Sequence, residues 1–239
     1  MKLIKPSYEI LFISPKPLET IEAAGRTCYK SEDKITEGSA EKFVKMIIKR
    51  GHLSVIEHAY MSVRFICDRG VTHEIIRHRL AAYSQESTRY CNYKGGVTFI
   101  IPPWINLKEG DYPISAISTE DWTTNRWFGA MYEAEFAYAS LVGGGWSPQQ
   151  ARSVLPNSLK TEIVMTCNLR EWMHVFKLRT SKAAHPQMRE LMIPLLIEMK
   201  TLVPVIFDDI KGSDEVYYDK RESNPEYDIT NWPGDEKEE

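Results

Sequence analysis

From Arg77 to Tyr90 the chain reads Arg-His-Arg-Leu-Ala-Ala-Tyr-Ser-Gln-Glu-Ser-Thr-Arg-Tyr, its densest run of groups able to hold a ligand. Arg77, Arg79 and Arg89 each present a planar fork of N–H donors that matches phosphate oxygens two at a time. With Ser87 and Thr88 beside them, the stretch suits a ligand with more than one phosphate. Basic residues on a helix more often form a solvated face. Here the flanks Glu74-Ile75-Ile76 and Leu80-Ala81-Ala82 are apolar enough to anchor the segment, which turns the arginines toward a cleft. Just upstream, His73-Glu74-Ile75-Ile76-Arg77-His78 imitates a zinc-binding HExxH. The imitation fails on geometry. The second imidazole must lie four residues after the first, where Arg77 stands, and His78 is rotated about 100° further round a helix.

These groups need elements to position them. Residues 18–29 and 39–50 read as helices, the second with Phe43, Met46 and Ile47 at helical spacing and Gly51 as its stop. Residues 59–67 alternate, Met61, Val63, Phe65 and Cys67 against Ser62 and Arg64, as a half-buried strand does. A helix is expected over 71–82, a strand over 97–101 and a long helix over 120–142. Ser147, Pro148 and Gln150 make a capping box for a short helix that Pro156 ends. Residues 161–167 alternate as a strand. Asn168 and Glu171 then form a second capping box for a helix to Arg179, and a last helix covers 186–202 with a bend at Pro194. Strands and helices mix without a βαβ repeat, which predicts an α+β fold rather than a doubly wound sheet. No GxGxxG or Walker loop is present.

With 239 residues, 43% of them hydrophobic, the chain can bury a core without disulfides or metal. Cys28, Cys67, Cys91 and Cys167 have neither knuckle nor redox spacing, so no metal site is expected. Residues 211–239 carry ten acids against four bases, a net of −6, which leaves +3 on the rest of a chain of net −3. The division is thus one domain over 1–210 and an acidic, partly disordered tail over 211–239. A mildly basic body suits a small anion better than a nucleic acid. No apolar run is long enough to span a membrane, and the N-terminus does not read as a secretory signal. The expected compartment is the cytoplasm.

Arg77-His78-Arg79, seven residues, then Ser87-Thr88-Arg89-Tyr90 resembles the RHRx7S signature of the flavin-dependent thymidylate synthases. Four further segments are similar to that family's, in order. They are Gly51-His52-Leu53-Ser54-Val55-Ile56-Glu57-His58, Gln150 to Pro156, Asn168-Leu169-Arg170 with Leu178-Arg179 downstream, and His185 to Glu190. Together they cover roughly residues 20–205.

The resemblance implies a mixed or antiparallel sheet flanked by helices and a homotetramer with active sites between subunits. It implies reductive methylation of dUMP to dTMP with FAD, NADPH and methylene-tetrahydrofolate. Carried over, Arg77, His78, Arg79, Ser54, Asn168, Arg170 and His174 bind FAD, with His52 stacking near flavin or folate and Gln85 also in reach of the cofactor. Glu74, Arg77, Gln85, Glu86, Ser87, Thr88, Arg89, Arg152 and Arg179 bind dUMP. Ser87, Arg89 and Arg152 hold its phosphate. Arg179 faces the uracil, where a guanidinium stabilises charge on N3–O2 and activates C5. Two positions depart from the commoner pattern. Many members have glutamine at Glu74 and glutamate at Gln85. Glu74 either touches the nucleotide or pairs with Arg77 one turn on. Competing readings are a flavoenzyme of this fold with an altered substrate, and a non-catalytic nucleotide-binding protein.

Overall fold

The computed structural model describes residues 1–93, 95–113, 115 and 119–213. Nearly all of the acidic tail lies outside the described residues. The expected strands over 59–67 and 161–167 are the centre of the main sheet. They form β3 (Tyr60–Asp68) and β7 (Lys160–Asn168), antiparallel in unbroken register from Tyr60↔Asn168 to Asp68↔Lys160. β2 (Ser7–Ile13) pairs with the free edge of β3, and β4 (Ala82–Gln85) with that of β7, giving the order β2-β3-β7-β4, antiparallel throughout. A smaller mixed sheet joins β1 (Lys2–Ile4), β5 (Thr98–Ile100) and β6 (Gly110–Asp111) in the order β5-β1-β6. The α+β expectation holds.

Alternation decides which face is covered. Met61, Val63, Phe65 and Cys67 on β3, with Thr161, Ile163, Met165 and Cys167 on β7, are buried against helices. Those helices are α1 (Pro17–Tyr29), α2 (Ser39–Lys49), α6 (Leu169–Arg179) and α7 (Pro186–Leu202). Trp172 of α6 is the largest fully buried side chain, and its indole N–H donates to the Met61 carbonyl at 3.1 Å. A second core gathers Leu3, Val97, Phe99, Phe128, Met131 and Tyr138 under α4 (Trp122–Gly143). No described helix is long and apolar enough to cross a membrane.

Two caps position the site. Asp68, the last residue of β3, accepts a hydrogen bond from Val71 N at 2.7 Å and starts α3 (Arg69–Ile75). Asn168, the last residue of β7, accepts from Glu171 N at 2.8 Å and starts α6. The strands are antiparallel, so these helices spring from opposite ends of one ladder. The ladder is about 27 Å long at 3.4 Å per residue. The two helices span about 10 and 16 Å at 1.5 Å per residue. Running back over the sheet, they bring their C-terminal ends together.

Several expectations need correction. The helix over 71–82 ends at Ile75, and Ala82–Gln85 is a strand. The Tyr83 hydroxyl lies 2.8 Å from the Ile75 carbonyl and 2.7 Å from that of His78, acceptors a continuing helix would have used internally. Pairing with β7 overrides the helix preference of Leu80-Ala81-Ala82. β1 and β2 had no counterpart among the expected elements, since their mixed exposure hides the period of two. Both sequence capping signals correspond to real helix starts. The Ser147 box is complete for α5 (Pro148–Ala151), and α8 (Pro204–Phe207) closes the described helices.

Gly25 marks a close approach of α1 to α2. A Cβ there would sit 2.6 Å from two ring carbons of Phe43, and the Arg26 guanidinium stacks over the same ring at 4.6 Å. Gly25→Ala gains about 1 kcal/mol of helix propensity. It loses more to overpacking, typically about 1–3 kcal/mol. A lowered urea midpoint is the expected outcome. An unchanged or raised midpoint would mean that Phe43 yields without cost.

Candidate active site

At the meeting of α3 and α6, one side chain joins both helices. Arg179, the last residue of α6, spends three donors on the end of α3 and the turn after it. Its Nη1 donates to Glu74 Oε2 at 2.8 Å, Nη2 to the Glu74 carbonyl at 3.0 Å, and Nε to His78 Nε2 at 3.0 Å. The Glu74 carbonyl belongs to the last turn of α3, where no i+4 helical N–H reaches it, and its backbone partner Arg77 N stands at 3.3 Å. The guanidinium thus serves as a C-terminal cap and as a counter-charge. Glu74 pairs with Arg179, not with Arg77. Helix α3 stops one residue after Glu74, and the exposed Arg77 side chain lies beyond its end.

His78 is almost fully buried. Burial, then the charges of Arg179 and His174, push its pKa down from the usual 6.5 to about 4. Near pH 7 the ring is therefore neutral. Since Nε2 accepts from Arg179, the ring hydrogen belongs on Nδ1, which faces Glu171 Oε1 at 3.5 Å. Burial raises the Glu171 carboxyl. His174 packs edge-on to His78 with ring centroids 5.7 Å apart. His78, Glu171 and His174 bring possible metal-ligand atoms within 4.8 Å of one another. A cation there would have to displace the Nδ1 hydrogen beside a fixed guanidinium. The trio reads as a packed cluster that orients the His78 ring.

Two adjoining cavities open here. The first, 630 Å³, is lined by Glu74, Arg77, His78, His174, Arg179 and neighbours from the segment after α6. The second, 860 Å³, has apolar walls at Leu53, Leu80 and Met173, and polar groups at Asn168, Arg170, His174 and Lys177. Both volumes suit a cofactor or nucleotide. His174 lines both. The Asn168 side-chain oxygen is committed to the α6 cap, but its amide N–H groups form no bond within the described residues and can donate to a ligand. Arg170 is ion-paired with Glu57. Side chains of Arg77 and Arg79 form no ion pair among the described residues, so their forks are available to an anion.

Other expected residues lie apart. Gln85 Nε2 donates to Thr72 Oγ1 at 3.0 Å, packing inward. Glu86 accepts from the Tyr93 hydroxyl and from Lys160 Nζ, each at 2.9 Å, beside a third hollow of 510 Å³ lined also by Arg64 and Glu162. Arg152 donates to Thr88 Oγ1 at 3.0 Å, which ties the Ser153 segment to the Arg-rich loop. Ser87 Oγ accepts from the Arg89 N–H at 3.2 Å, and the Arg89 guanidinium lies 5.6 Å from the Tyr90 ring. His52 and Ser54 are exposed and line none of these cavities. Their neighbours Leu53 and Glu57 do, and His52 meets the Tyr29 hydroxyl at 3.4 Å. The sequence reading missed Glu171, Lys177 and Lys160. Helical spacing from His174 could have found the first two, for positions three apart share a face.

The depressed His78 pKa has a sign. Between pH 6.5 and 4 the unfolded chain takes up a proton at this residue that the folded chain refuses. The stabilisation is complete above 6.5 and is lost as pH falls through 4. Buried carboxyls of Asp68, Glu171 and Glu190, all raised by desolvation, act oppositely. The comparison is therefore made with a His78→Gln variant. Over pH 7 to 4 its urea midpoint should lose less than that of the unaltered protein. Parallel curves would show that His78 titrates normally.

Known proteins resemble this chain in sequence and fold. A family model described as "Thymidylate synthase complementing protein" matches residues 9–205. A protein of Geobacter sulfurreducens named "Flavin-dependent thymidylate synthase" is 32% identical over 204 residues, 82% of this chain and 83% of that protein. The protein of the same name from Mycobacterium tuberculosis is 36% identical over 203 residues, 80% of this chain and 78% of that protein. Among solved structures, the UMP/dUMP methylase PolB of Streptomyces cacaoi, bound with 5-Br dUMP, superposes with a TM-score of 0.71 at 26% identity. That match covers 87% of this chain and 96% of the other. Matched from β2 to the end of α7, and aligned over most of these relatives' length, the chain belongs to the thymidylate synthase complementing protein family.

Proposed function

We infer that this chain methylates dUMP to dTMP reductively, with methylene-tetrahydrofolate as carbon donor, NADPH as reductant and FAD as bound cofactor. One observation carries the reading. Glu74, Arg77 and His78 from one segment, and His174 and Arg179 from another about 100 positions away, line a single cavity. Two guanidiniums and two imidazoles beside one carboxylate suit a phosphorylated heterocycle.

Roles follow from placement. Arg77 and Arg79 take the flavin pyrophosphate, and Asn168 and His174 take ring edges at the larger cavity. FAD, when bound, supplies the hydride. Ser87, Thr88 and Arg89, with Arg152, hold the dUMP phosphate, and Gln85 and Glu86 shape that loop from behind. Arg179 meets the uracil N3–O2 edge and stabilises the charge that makes C5 nucleophilic. His78 fixes Arg179 by accepting from its Nε. His52, Ser54 and Arg170 flank the mouth of the larger cavity, where folate or flavin enters. Within one chain Ser87, Thr88, Arg89 and Arg152 do not line the Arg179 cavity. A homotetramer that completes each site from several subunits resolves this, with residues 1–210 as the catalytic unit and the cytoplasm as its compartment. The free thiols of Cys28, Cys67, Cys91 and Cys167 agree with that compartment.

The deciding assay is dTMP formation from dUMP with FAD, NADPH and methylene-tetrahydrofolate, run on the assembly sized by light scattering. Turnover is expected, and Arg179→Ala should lower kcat on the order of 10²–10³-fold while weakening dUMP far less. No turnover by flavin-loaded protein would sink the reading. The name of the Streptomyces relative favours one second reading, that UMP is also accepted. The same assay with UMP decides it.

Ser87 invites a nucleophile reading, yet no described histidine stands beside it as a base, and its oxygen accepts from Arg89 N. Assigned to the phosphate, its loss should weaken dUMP by about 1–3 kcal/mol and leave turnover measurable at saturation. Complete loss of dTMP in single-turnover assays of folded, dUMP-bound Ser87→Ala would restore the nucleophile.

A further inference from the structure

We propose that Glu74 is a positioning residue that acts on the nucleotide only through Arg179. The inference rests on the reading of Arg179 given above. A guanidinium has five N–H donors in one plane. Here three go to three separate acceptors, the Glu74 carboxylate, the Glu74 carbonyl and His78 Nε2. Three bonds in different directions stop the group from swinging or spinning about its last bonds. One N–H remains on each terminal nitrogen. Those two remain for acceptors of a ligand, such as the carbonyl and ring nitrogen of a pyrimidine.

The side chain of Glu74 is suited to this and poorly suited to direct contact. Its carboxylate accepts bonds but cannot donate them. Beside a nucleotide gaining negative charge it would repel. Against Arg179 it makes a charge-assisted bond, at a length that its own backbone carbonyl, bound to the same guanidinium, helps to set. Its charge also offsets part of the field of Arg179. What it contributes to catalysis is reach. Glutamine, with the same reach and an acceptor oxygen, should therefore serve in its place.

The test compares two conservative variants in the flavin-loaded assembly, with kcat taken per bound flavin. Glu74→Gln keeps the length and removes the charge. Its kcat should stay within about threefold of the unaltered protein. Glu74→Asp keeps the charge and shortens the reach by one methylene. Its kcat should fall on the order of tenfold or more, with KM for dUMP nearly unchanged, as expected for a misplaced group. In an Arg179→Ala background, Glu74→Asp should cost nothing further, because both changes remove one interaction. A rise in KM with kcat preserved in both variants would mean that Glu74 touches the nucleotide. An unchanged kcat per flavin in Glu74→Asp would leave it a merely structural role, and a larger loss in Glu74→Gln than in Glu74→Asp would make charge its contribution. Any of these overturns the proposal. If the unaltered protein makes no dTMP, the functional reading fails first, which separates the two failures.

Discussion

An antiparallel strand pair with a helix starting at the far end of each strand has little choice about where those helices finish. The β3–β7 ladder imposes that constraint. Asp68 and Asn168 end the two strands and cap α3 and α6. Short polar side chains are good caps because they satisfy N–H groups that the first helical turn leaves unpaired. Here the caps also aim. They turn the chain back over the sheet at both ends, and the C-terminal ends of α3 and α6 come face to face. The Arg179 cavity and the larger cavity beside it lie at that meeting.

Two helix C-termini in contact are an electrostatic burden, since both offer unpaired carbonyls and partial negative charge. Arg179 relieves one carbonyl of α3, and the Tyr83 hydroxyl lies within reach of two more. Burial keeps the Tyr83 hydroxyl protonated, as a donor must be. The neutral His78 ring fits between, accepting on one nitrogen and facing the Glu171 carboxyl with the other. A protonated ring could not accept from Arg179 and would add a second positive charge beside it. The low His78 pKa and the orientation of Arg179 are therefore two faces of one arrangement.

Much of this was legible in the residues. Alternation at Met61-Val63-Phe65-Cys67 and Ile163-Met165-Cys167 marked both central strands and their covered face. Capping residues marked the starts of α5 and α6, and the Arg77-to-Tyr90 run contains Arg77 and His78, which line the cavity beside Arg179. The helix over 71–82 was misjudged because local propensity carries no trace of Tyr83 competing for the Ile75 and His78 carbonyls. Glu74 was offered a local partner, Arg77, since only near neighbours can be paired by spacing. Its real partner is distant in sequence. Strand β2, exposed on alternate residues and at an edge, lacks the apolar period that would announce it.

The ladder also sets the order in which the molecule can assemble. Ser62 and Thr166, hydrogen-bonded across it at 2.8 Å, are 104 positions apart in sequence. Closing so large a loop costs chain entropy before any contact repays it. Chains dominated by such distant pairings fold slowly. Arg77, Ser87 and Arg152 all lie on the enclosed loop, and His174 and Arg179 lie just beyond it. A growing chain has emitted the whole Arg77-to-Tyr90 stretch before β7 exists to hold it in place. Ligand capture thus belongs to the end of folding, and nucleotide or flavin can stabilise the finished protein without serving as a template for its early stages.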